Sequence, residues 1–408
     1  MHILLTGGGT AGHIIPNLAI ARAIKEASPK TKVTYMGSYG GMERKLAEAA
    51  GLPFEGILTG KWRRYFAVQN GVDLLKIPLG TAQAFLKLLK LRPSVVFSKG
   101  GFVGVPVVLA AGMIGIPVYI HESDAIPGLA TKLCAPFARK IFLGYAEAEK
   151  GLQRYKKKLQ TVGNPVREDL FEGSAAAARK WAGFVGKKPV LLVMGGSSGS
   201  LEINKKIEKE KKAIMEEYAV VHITGEGKNG GAGSAAVRKK DFIAVPFVGE
   251  EIKDLYALAS LALTRAGAGA LAELEALQIP ALLFPLGMNA SRGDQVANAK
   301  ALCKKSKYYR IGDTSLPLRE QLAALPKRPP RPPRATQNAT QIIAHTLTGR
   351  SAFKLGSSQN PTPASASIAW ACSESWQKKR AWNASWGSRK DSRQKTYPRE
   401  SQKNGFTQ

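Results

Sequence analysis

The sequence predicts an α/β protein with two doubly wound parallel-sheet domains that face each other across a cleft. Three observations support this fold class. Short apolar runs alternate with helical patterns in the first part of the chain, as expected for parallel strands joined by crossover helices. A second series of the same kind begins at Pro189. The length of 408 residues exceeds what one core organises and suits about two to three domains.

The first series contains short aliphatic runs, read as buried strands, separated by glycine turns and helical patterns. Strands are expected at residues 3–6, 32–37, 94–98, 117–121 and 140–143, and helices at residues 15–27 and around 42–50. Residues 102–120 carry no charge and approach the length of a membrane span. Pro106 and Pro117 divide this run, which favours a short helix followed by a buried strand.

The second series repeats the pattern. Strands are expected at residues 190–194, 220–224, 242–247, 261–264 and 281–285, and helices at residues 201–218, 252–259 and 269–277. A further short helix is expected at residues 340–347. Two such series predict two Rossmann-like domains. Because ligands in open α/β sheets bind beyond the carboxyl ends of the strands, we expect the site in the cleft.

The charge balance predicts an anionic partner. Sixty Lys and Arg oppose 30 Asp and Glu, a formal net charge of +30. Nucleic acid, an acidic lipid surface and a phosphorylated substrate would all satisfy it. Nucleic acid is disfavoured because no recognised nucleic-acid fold or aromatic RNP-type motif occurs. Three widely spaced cysteines fit neither a disulfide framework nor a zinc site, and no secretory signal follows Met1, so an intracellular protein is expected.

The composition changes near Pro326, with KRPPRPPR followed by a basic tail. Residues 350–408 contain eleven Lys and Arg, three Asp and Glu, and four of the six tryptophans. One interpretation is a disordered basic extension. The other is adhesion to an anionic membrane, with tryptophans at the headgroup level and cations on the lipid charge.

Three glycine-rich turns between strand and helix are candidate anion sites. The first, GGGTAGH at residues 7–13, ends in His13, which is either a general base or a locally bonded helix-start residue. No acidic residue ends the second strand and no Lys-Ser or Lys-Thr follows a glycine loop, which argues against nicotinamide and P-loop sites. The second turn, GGSSGS at residues 195–200, adds hydroxyl donors for phosphate.

The third turn, RAGAGALAE at residues 265–273, places Glu273 where it can accept both hydroxyls of a ribose or simply sit favourably near a helix N-terminus. Asp294 and Gln295, in SRGDQVAN, offer polar groups to sugar hydroxyls. The chain contains no D-x-D motif. We therefore expect helix N-termini and Arg167, rather than a metal ion, to neutralise a donor diphosphate. No cofactor is expected.

Seven motifs taken in order resemble the MurG family of UDP-N-acetylglucosamine (UDP-GlcNAc) glycosyltransferases: GGGTAGH, SKGGFVGVP, HESDAIPGLA, VGNPVR, GGSSGS, TRAGAGALAE and SRGDQVANA. The resemblance covers residues 1–348. It implies a GT-B fold and inverting transfer of N-acetylglucosamine to the C4 hydroxyl of the muramoyl sugar of lipid I, giving lipid II for peptidoglycan. It also implies an acceptor and membrane-docking domain at residues 1–163 and a UDP-sugar donor domain at residues 164–348. The resemblance does not extend to the basic, tryptophan-containing tail at residues 349–408, which its composition predicts to be disordered.

The resemblance also assigns roles. His13 is the implied base, Glu273 the ribose acceptor, Arg167 and Ser197 the phosphate ligands, and Gln295 with Asp294 the readers of the sugar hydroxyls. Val248 is expected to meet the uracil through its backbone. The remaining implied donor-binding residues lie at two helix starts and at one strand end: Thr10, Ala11, Gly12, Asp124, Ala268, Gly269, Ala270, Leu271 and Ala272.

Departures from the family pattern affect two positions. Asp124 stands where the family usually has asparagine, which keeps the acceptor oxygens and loses the amide donor. Ser198 stands where glutamine is usual. Alternatives are a GT-B transferase that uses a UDP-sugar and another lipid acceptor, or a catalytically idle protein that binds nucleotide or membrane.

Residues 61–93 mix aromatic and leucine side chains with cations, which indicates either docking on an anionic leaflet or an ordinary helix packed on the sheet. The implied partners are UDP-GlcNAc, lipid I, the anionic cytoplasmic membrane face and other cell-wall synthesis proteins. The expected location is peripheral, on the cytoplasmic face of the membrane.

Overall fold

The computed structural model describes residues 1–60, 68–196, 199–227, 237–287, 293–332 and 338–349. Within these ranges the chain forms two sheets of seven strands, each flanked by helices. The predicted fold class is confirmed: two parallel α/β sheets lie in series along the chain.

The first sheet is parallel throughout. Its strands are β1 (His2–Thr6), β2 (Lys32–Ser38), β3 (Phe54–Ile57), β4 (Val95–Ser98), β5 (Val118–Glu122), β6 (Ala138–Leu143) and β7 (Leu159–Thr161), in the order β3-β2-β1-β4-β5-β6-β7. Its helices are α1 (Ala11–Ala27), α2 (Met42–Ala49), α3 (Val68–Leu91), α4 (Gly104–Ile114) and α5 (Leu129–Cys134). Single 3-10 turns follow at Ala135–Phe137, Ala146–Gly151, Gln153–Lys158 and Glu168–Glu172.

The second sheet repeats the order, with one antiparallel edge strand. Its strands are β8 (Val190–Met194), β9 (Ala219–Ile223), β10 (Val237–Lys239), β11 (Phe242–Val245), β12 (Leu261–Thr264), β13 (Ala281–Leu283) and β14 (Tyr309–Ile311), in the order β10-β11-β9-β8-β12-β13-β14. The helices are α6 (Ala175–Ala182), α7 (Leu201–Glu217), α8 (Glu251–Leu258), α9 (Ala268–Ala276), α10 (Asp294–Lys305), α11 (Leu318–Ala323) and α12 (Ala339–Thr348).

Burial explains why these runs become central strands. All residues of β4 and of β8 are buried, as expected where helices cover both faces of a parallel sheet. The uncharged run at residues 102–120 forms α4 and β5, as predicted. In the described part of the chain, no helix has both the length and the apolar character needed to cross a membrane.

The strand order reverses between β1 and β4 in the first sheet and between β8 and β12 in the second. These are the switch points at which neighbouring loops diverge and leave a crevice at the carboxyl ends of the strands. The loops after β1, β4, β8 and β12 carry the glycine motifs of the sequence. The fold therefore brings the predicted anion turns to the switch point of each sheet.

The last helix returns to the first sheet. Ile343, Ala344 and Leu347 of α12 belong to the apolar core that also contains α1 and β1. At the start of α12, the Thr340 hydroxyl donates to Val166 O at 2.9 Å and accepts from Val166 N at 3.1 Å. The division into residues 1–163 and 164–348 remains a prediction, and α12 packs across it.

Two arginines of KRPPRPPR, Arg328 and Arg331, donate hydrogen bonds to backbone carbonyls of the second half of the chain. The Arg328 guanidinium donates to the last turns of α8 and α9, at Tyr256 O (2.9 Å), Ala257 O (3.4 Å), Ala259 O (2.6 Å) and Leu277 O (3.0 Å). A cation at two helix C-termini satisfies carbonyls that have no partner within their helices. Burial lowers the pKa of Arg328 to about 10.

We expect Arg328→Met to destabilise the second half of the chain by about 3 kcal/mol, because it removes a charged donor from buried carbonyls while retaining most of the aliphatic volume. The midpoint of urea unfolding, followed by fluorescence, measures the loss. Arg319→Met is the matched control, since Arg319 forms two ion pairs with Glu216 and Glu217 on the exposed surface. Equal urea midpoints for the two variants would contradict a stabilising role for the hydrogen bonds from Arg328 to α8 and α9.

Candidate active site

The first anion turn joins β1 to α1. Thr10 caps α1 in extended conformation with no side-chain capping hydrogen bond, and Ala11 and Gly12 form the first helical positions. Thr10 and Gly12 are exposed and Ala11 is partly exposed. The first N–H groups of a helix have no intrahelical acceptor, so this end can hold an anion.

A buried network fixes the backbone of this turn. The Tyr35 hydroxyl donates to Gly7 O at 2.6 Å, and Asn17 Nδ2 donates to Thr6 O at 2.9 Å and to the Tyr35 hydroxyl oxygen at 3.1 Å. Tyr35 and Asn17 are fully buried. Burial raises the pKa of Tyr35, so its hydroxyl stays a donor. The turn is therefore held by two side chains that the sequence interpretation did not identify.

His13 lies against the glycine pair that follows β4. A Cβ placed on Gly101, where φ is +79°, would come within 3.1 Å of His13 Cδ2 and would overlap the carbonyl oxygen of Gly8. A Cβ on Gly100 would lie 3.8 Å from His13 Nδ1. The glycines of the SKGG motif thus let the loop after β4 pass close to the turn after β1. The imidazole of His13 lies, partly exposed, at the edge of the turn after β1.

A buried cation stands beside this rim and was missed in the sequence. Lys99 is 1% exposed and donates to the Ser123 hydroxyl. Burial lowers the pKa of Lys99 to about 8, against the opposing effect of Glu122 and Asp124. Burial also lowers the pKa of His121, and the positive charge of Lys99 lowers it further. The sequence could have indicated this residue, because Lys99 directly follows an apolar strand and a buried charge needs polar partners.

Asp124 faces the second half of the chain. Asn298 Nδ2 donates to Asp124 Oδ1 at 2.9 Å, and Asn298 Oδ1 accepts from Ala125 N at 2.7 Å. Asn298 is fully buried and also donates to Ala266 O at 3.3 Å. The side chain of Asn298 thus joins the loop after β5 to the loop after β12. The predicted contact of Asp124 with the donor sugar remains a prediction, and this contact shows that Asp124 lies at the boundary of the two halves.

The second glycine turn joins β8 to α7. Ser200 caps α7, and its hydroxyl accepts from Ile203 N at 3.3 Å. A Cβ on Gly199, where φ is +68°, would overlap the carbonyl oxygen of Thr224 in the loop after β9. Ser197, the predicted phosphate ligand, and Ser198 lie outside the described residues.

The third turn begins α9 at Ala268, with Gly267 as a cap that makes no side-chain hydrogen bond. Gly269, Ala270 and Ala272 are partly exposed, whereas Ala268 and Leu271 are buried. The apolar core that α6, α8, α9 and α10 form with the second sheet is called the second core. Leu271 is fully buried in it, so a contact from Leu271 to a donor would have to come from its backbone. The turn offers a second open helix N-terminus.

Glu273 lies one turn further along α9 and accepts a hydrogen bond from the Tyr256 hydroxyl at 2.7 Å. Burial raises the pKa of Glu273, while Arg167 and the bond from Tyr256 lower it. Arg167 itself forms an ion pair with Asp169, Nε to Oδ1, at 3.7 Å, and the two side chains are 30% and 32% exposed. Arg167 therefore lies close enough to Glu273 for its charge to lower the pKa of the carboxyl group. The structure adds Tyr256, which the sequence interpretation missed.

The remaining predicted donor residues lie on neighbouring loops. Val248 follows β11 and packs, partly buried, on the second core. Gln295 Oε1 accepts from Leu286 N at 3.0 Å, which ties α10 to the loop after β13. Asp294 is the first residue of α10. No group of three or more His, Cys, Asp or Glu that could hold a metal ion occurs among the residues that the structure describes.

Comparisons with known proteins match both halves of the chain. The model of the glycosyltransferase family 28 N-terminal domain matches residues 3–143, and that of the family 28 C-terminal domain matches residues 190–347. A relative from Lachnoclostridium phytofermentans is 41% identical over 77% of this chain and 86% of its own length. A relative from Oceanobacillus iheyensis is 43% identical over 76% of this chain and 84% of its own length.

Both relatives are named UDP-N-acetylglucosamine--N-acetylmuramyl-(pentapeptide) pyrophosphoryl-undecaprenol N-acetylglucosamine transferase. The crystal structure of Acinetobacter baumannii MurG has a TM-score of 0.60 at 23% identity, over 85% of this chain and 99% of that one. A UDP-GlcNAc 2-epimerase from Neisseria meningitidis has a TM-score of 0.57 at 15% identity, over 86% of this chain and 100% of that one. These two structures share the fold. The chain belongs to glycosyltransferase family 28 and, within it, to the MurG family.

Proposed function

We propose that the protein transfers N-acetylglucosamine from UDP-GlcNAc to the C4 hydroxyl of the N-acetylmuramoyl sugar in lipid I, with inversion at the anomeric carbon, and so forms lipid II for peptidoglycan. The names of relatives that match about three quarters of the chain support the donor and the acceptor. The observation that carries the proposal is the placement of His13 at the rim of an uncapped helix N-terminus, at the switch point of the first sheet.

His13 acts on the acceptor. The acceptor C4 oxygen attacks the anomeric carbon in line with the bond to UDP, which breaks with its electron pair remaining on the diphosphate oxygen. The imidazole takes the proton that the C4 oxygen loses. Glycines 100 and 101 leave space beside the ring, and the start of α1 offers N–H groups to the acceptor diphosphate.

The second half binds the donor. The uncapped start of α9 and the turn after β8 offer N–H groups to the diphosphate, whose negative charge increases as the bond to the sugar breaks. Arg167 supplies a guanidinium on the same side as Glu273, which accepts the ribose hydroxyls. Gln295 and Asp294, at the start of α10, bind the sugar, and Val248 meets the uracil with its backbone.

We expect His13→Gln to lower kcat by about 10²–10⁴-fold with little change in the KM for UDP-GlcNAc, since the variant loses the proton acceptor and not the donor site. UDP release with a soluble lipid I analogue measures both constants. Direct titration with UDP shows whether the donor site survives. Activity within twofold of the parent would exclude His13 as the base.

The acceptor carries a lipid, and the first half of the chain has an apolar surface suited to it. α3, α4 and α5 pack side by side, and each leaves apolar side chains exposed, as does the 3-10 turn after α5. We call these residues the apolar surface: Leu79, Leu86, Leu89, Met113, Leu129, Leu133 and Phe137. Exposed Lys90, Lys132 and Arg139 lie on the same elements or directly beside them in the sequence.

Residues 82–91 of α3 have one face packed on the core and another face exposed, so packing on the sheet and docking on a membrane are compatible. Ala84 and Leu88 are fully buried and pack on the core, whereas Leu86 is 67% exposed. Residues 61–67, which contain three of the four aromatic residues of the predicted docking segment 61–93, lie outside the described residues, as does the tail from Arg350. An apolar surface with cations at its edge supports peripheral binding to an anionic leaflet, and lipid I as substrate supports the cytoplasmic face.

The double substitution Leu86→Glu and Leu89→Glu tests this surface. We expect it to weaken binding to vesicles containing phosphatidylglycerol by about tenfold or more, because acidic groups replace exposed leucines that would insert into the lipid and because they repel the lipid charge. Turnover of a soluble acceptor should be unchanged. Val185→Glu is the control, since Val185 is 98% exposed in the second half of the chain. Vesicle binding equal to that of the control variant would refute docking through the apolar surface.

A further inference from the structure

We infer that Tyr256 is a positioning residue for the donor: its hydroxyl fixes one oxygen of the Glu273 carboxylate so that the other accepts the ribose hydroxyls. This inference deepens the proposed function and rests on its assignment of Glu273 to the ribose. It adds a residue from a different helix, with no sequence motif of its own, to the donor site.

The geometry of the pair is specific. The Tyr256 hydroxyl donates to Glu273 Oε2 at 2.7 Å. The tyrosine ring is 2% exposed and lies in the second core with Leu271 and Leu274, so it cannot swing away from the carboxylate. Glu273 is partly exposed, and within the described residues Tyr256 is the one hydrogen-bond donor to its carboxylate. Oε1 is therefore the oxygen that remains for a ligand.

The two helices that carry this pair are fixed to each other. Tyr256 lies near the end of α8 and Glu273 near the middle of α9. The Arg328 guanidinium donates to carbonyls at the C-terminal ends of both helices. A buried ring on one of these helices can thus hold the direction of a carboxylate on the other, which is the precision needed for one carboxylate oxygen to accept two ribose hydroxyls.

The charges around Glu273 lead us to expect that ribose binding depends on pH. Burial and Asp169 raise the pKa of Glu273, whereas Arg167 and the Tyr256 hydroxyl lower it. The ionised carboxylate is the stronger acceptor for hydroxyl groups. Ribose binding should therefore weaken as the pH falls through the pKa of Glu273. Without the Tyr256 hydroxyl that pKa rises, and the weakening starts at a higher pH.

The test compares UDP with 2′,3′-dideoxy-UDP by isothermal titration calorimetry. We expect Tyr256→Phe to weaken UDP binding by about three- to tenfold, and binding of the dideoxy nucleotide by less than about twofold, because the latter lacks the hydroxyls that Glu273 accepts. Tyr309→Phe is the matched control. The Tyr309 hydroxyl donates to Leu274 O at 3.2 Å, one residue along α9, and its ring is equally buried.

Equal weakening of both nucleotides by Tyr256→Phe, or an unchanged affinity for UDP, would overturn the inference. The unaltered chain provides a second measurement that needs no variant to fold. Its affinity for UDP should fall on acidification more steeply than its affinity for dideoxy-UDP, and parallel profiles would also overturn the inference. Nucleotide binding requires no acceptor. The titrations therefore test the ribose contact independently of N-acetylglucosamine transfer, which an activity assay with acceptor tests.

Discussion

The site depends on backbone segments that pass each other without a side chain between them. At Gly101 the loop after β4 meets the turn after β1, and a Cβ would overlap Gly8 O. At Gly199 the turn after β8 meets the loop after β9, and a Cβ would overlap Thr224 O. These close approaches keep the starts of α1 and α7 near the neighbouring loops, where N–H groups can hold a diphosphate.

Side-chain amides and hydroxyls then join the two halves of the chain by hydrogen bonds. Asn298 reaches from α10 to Asp124 and Ala125, and Thr340 binds both backbone groups of Val166. The resemblance to the family leads us to expect asparagine at the position of Asp124, and the side-chain oxygen that aspartate shares with asparagine is the atom that accepts from Asn298 Nδ2. The contact explains how an aspartate is accommodated here, since the amide donor comes from the opposite side.

Much of the fold followed from local pattern. Runs such as VLLVM and VVFS are buried on both faces and read as central strands. The strands β3, β7, β10 and β14 were not predicted, because their sequences FEGI, LQT, VRK and YRI are short and partly polar. The short helix expected at residues 340–347 is present as α12, although its packing on the first sheet is a tertiary property that local sequence does not encode.

The site was predictable where a motif lies next to a turn and not where partners are distant in sequence. His13 and Glu273 stand beside glycine turns, so their place at the carboxyl ends of the strands could be predicted, while their roles remain predictions. Tyr256 touches Glu273 across 17 positions, and Asn298 touches Asp124 across 174, so neither contact has a local signal. Lys99 stood within a recognised motif, but its burial became visible only in the structure.

The measurement that tests the account most directly is product analysis after incubating the full chain with UDP-GlcNAc and a soluble lipid I analogue. The account predicts one UDP released for each disaccharide formed, with N-acetylglucosamine in β linkage to the C4 hydroxyl of the muramoyl sugar. A different linkage, or UDP release without any disaccharide, would contradict it.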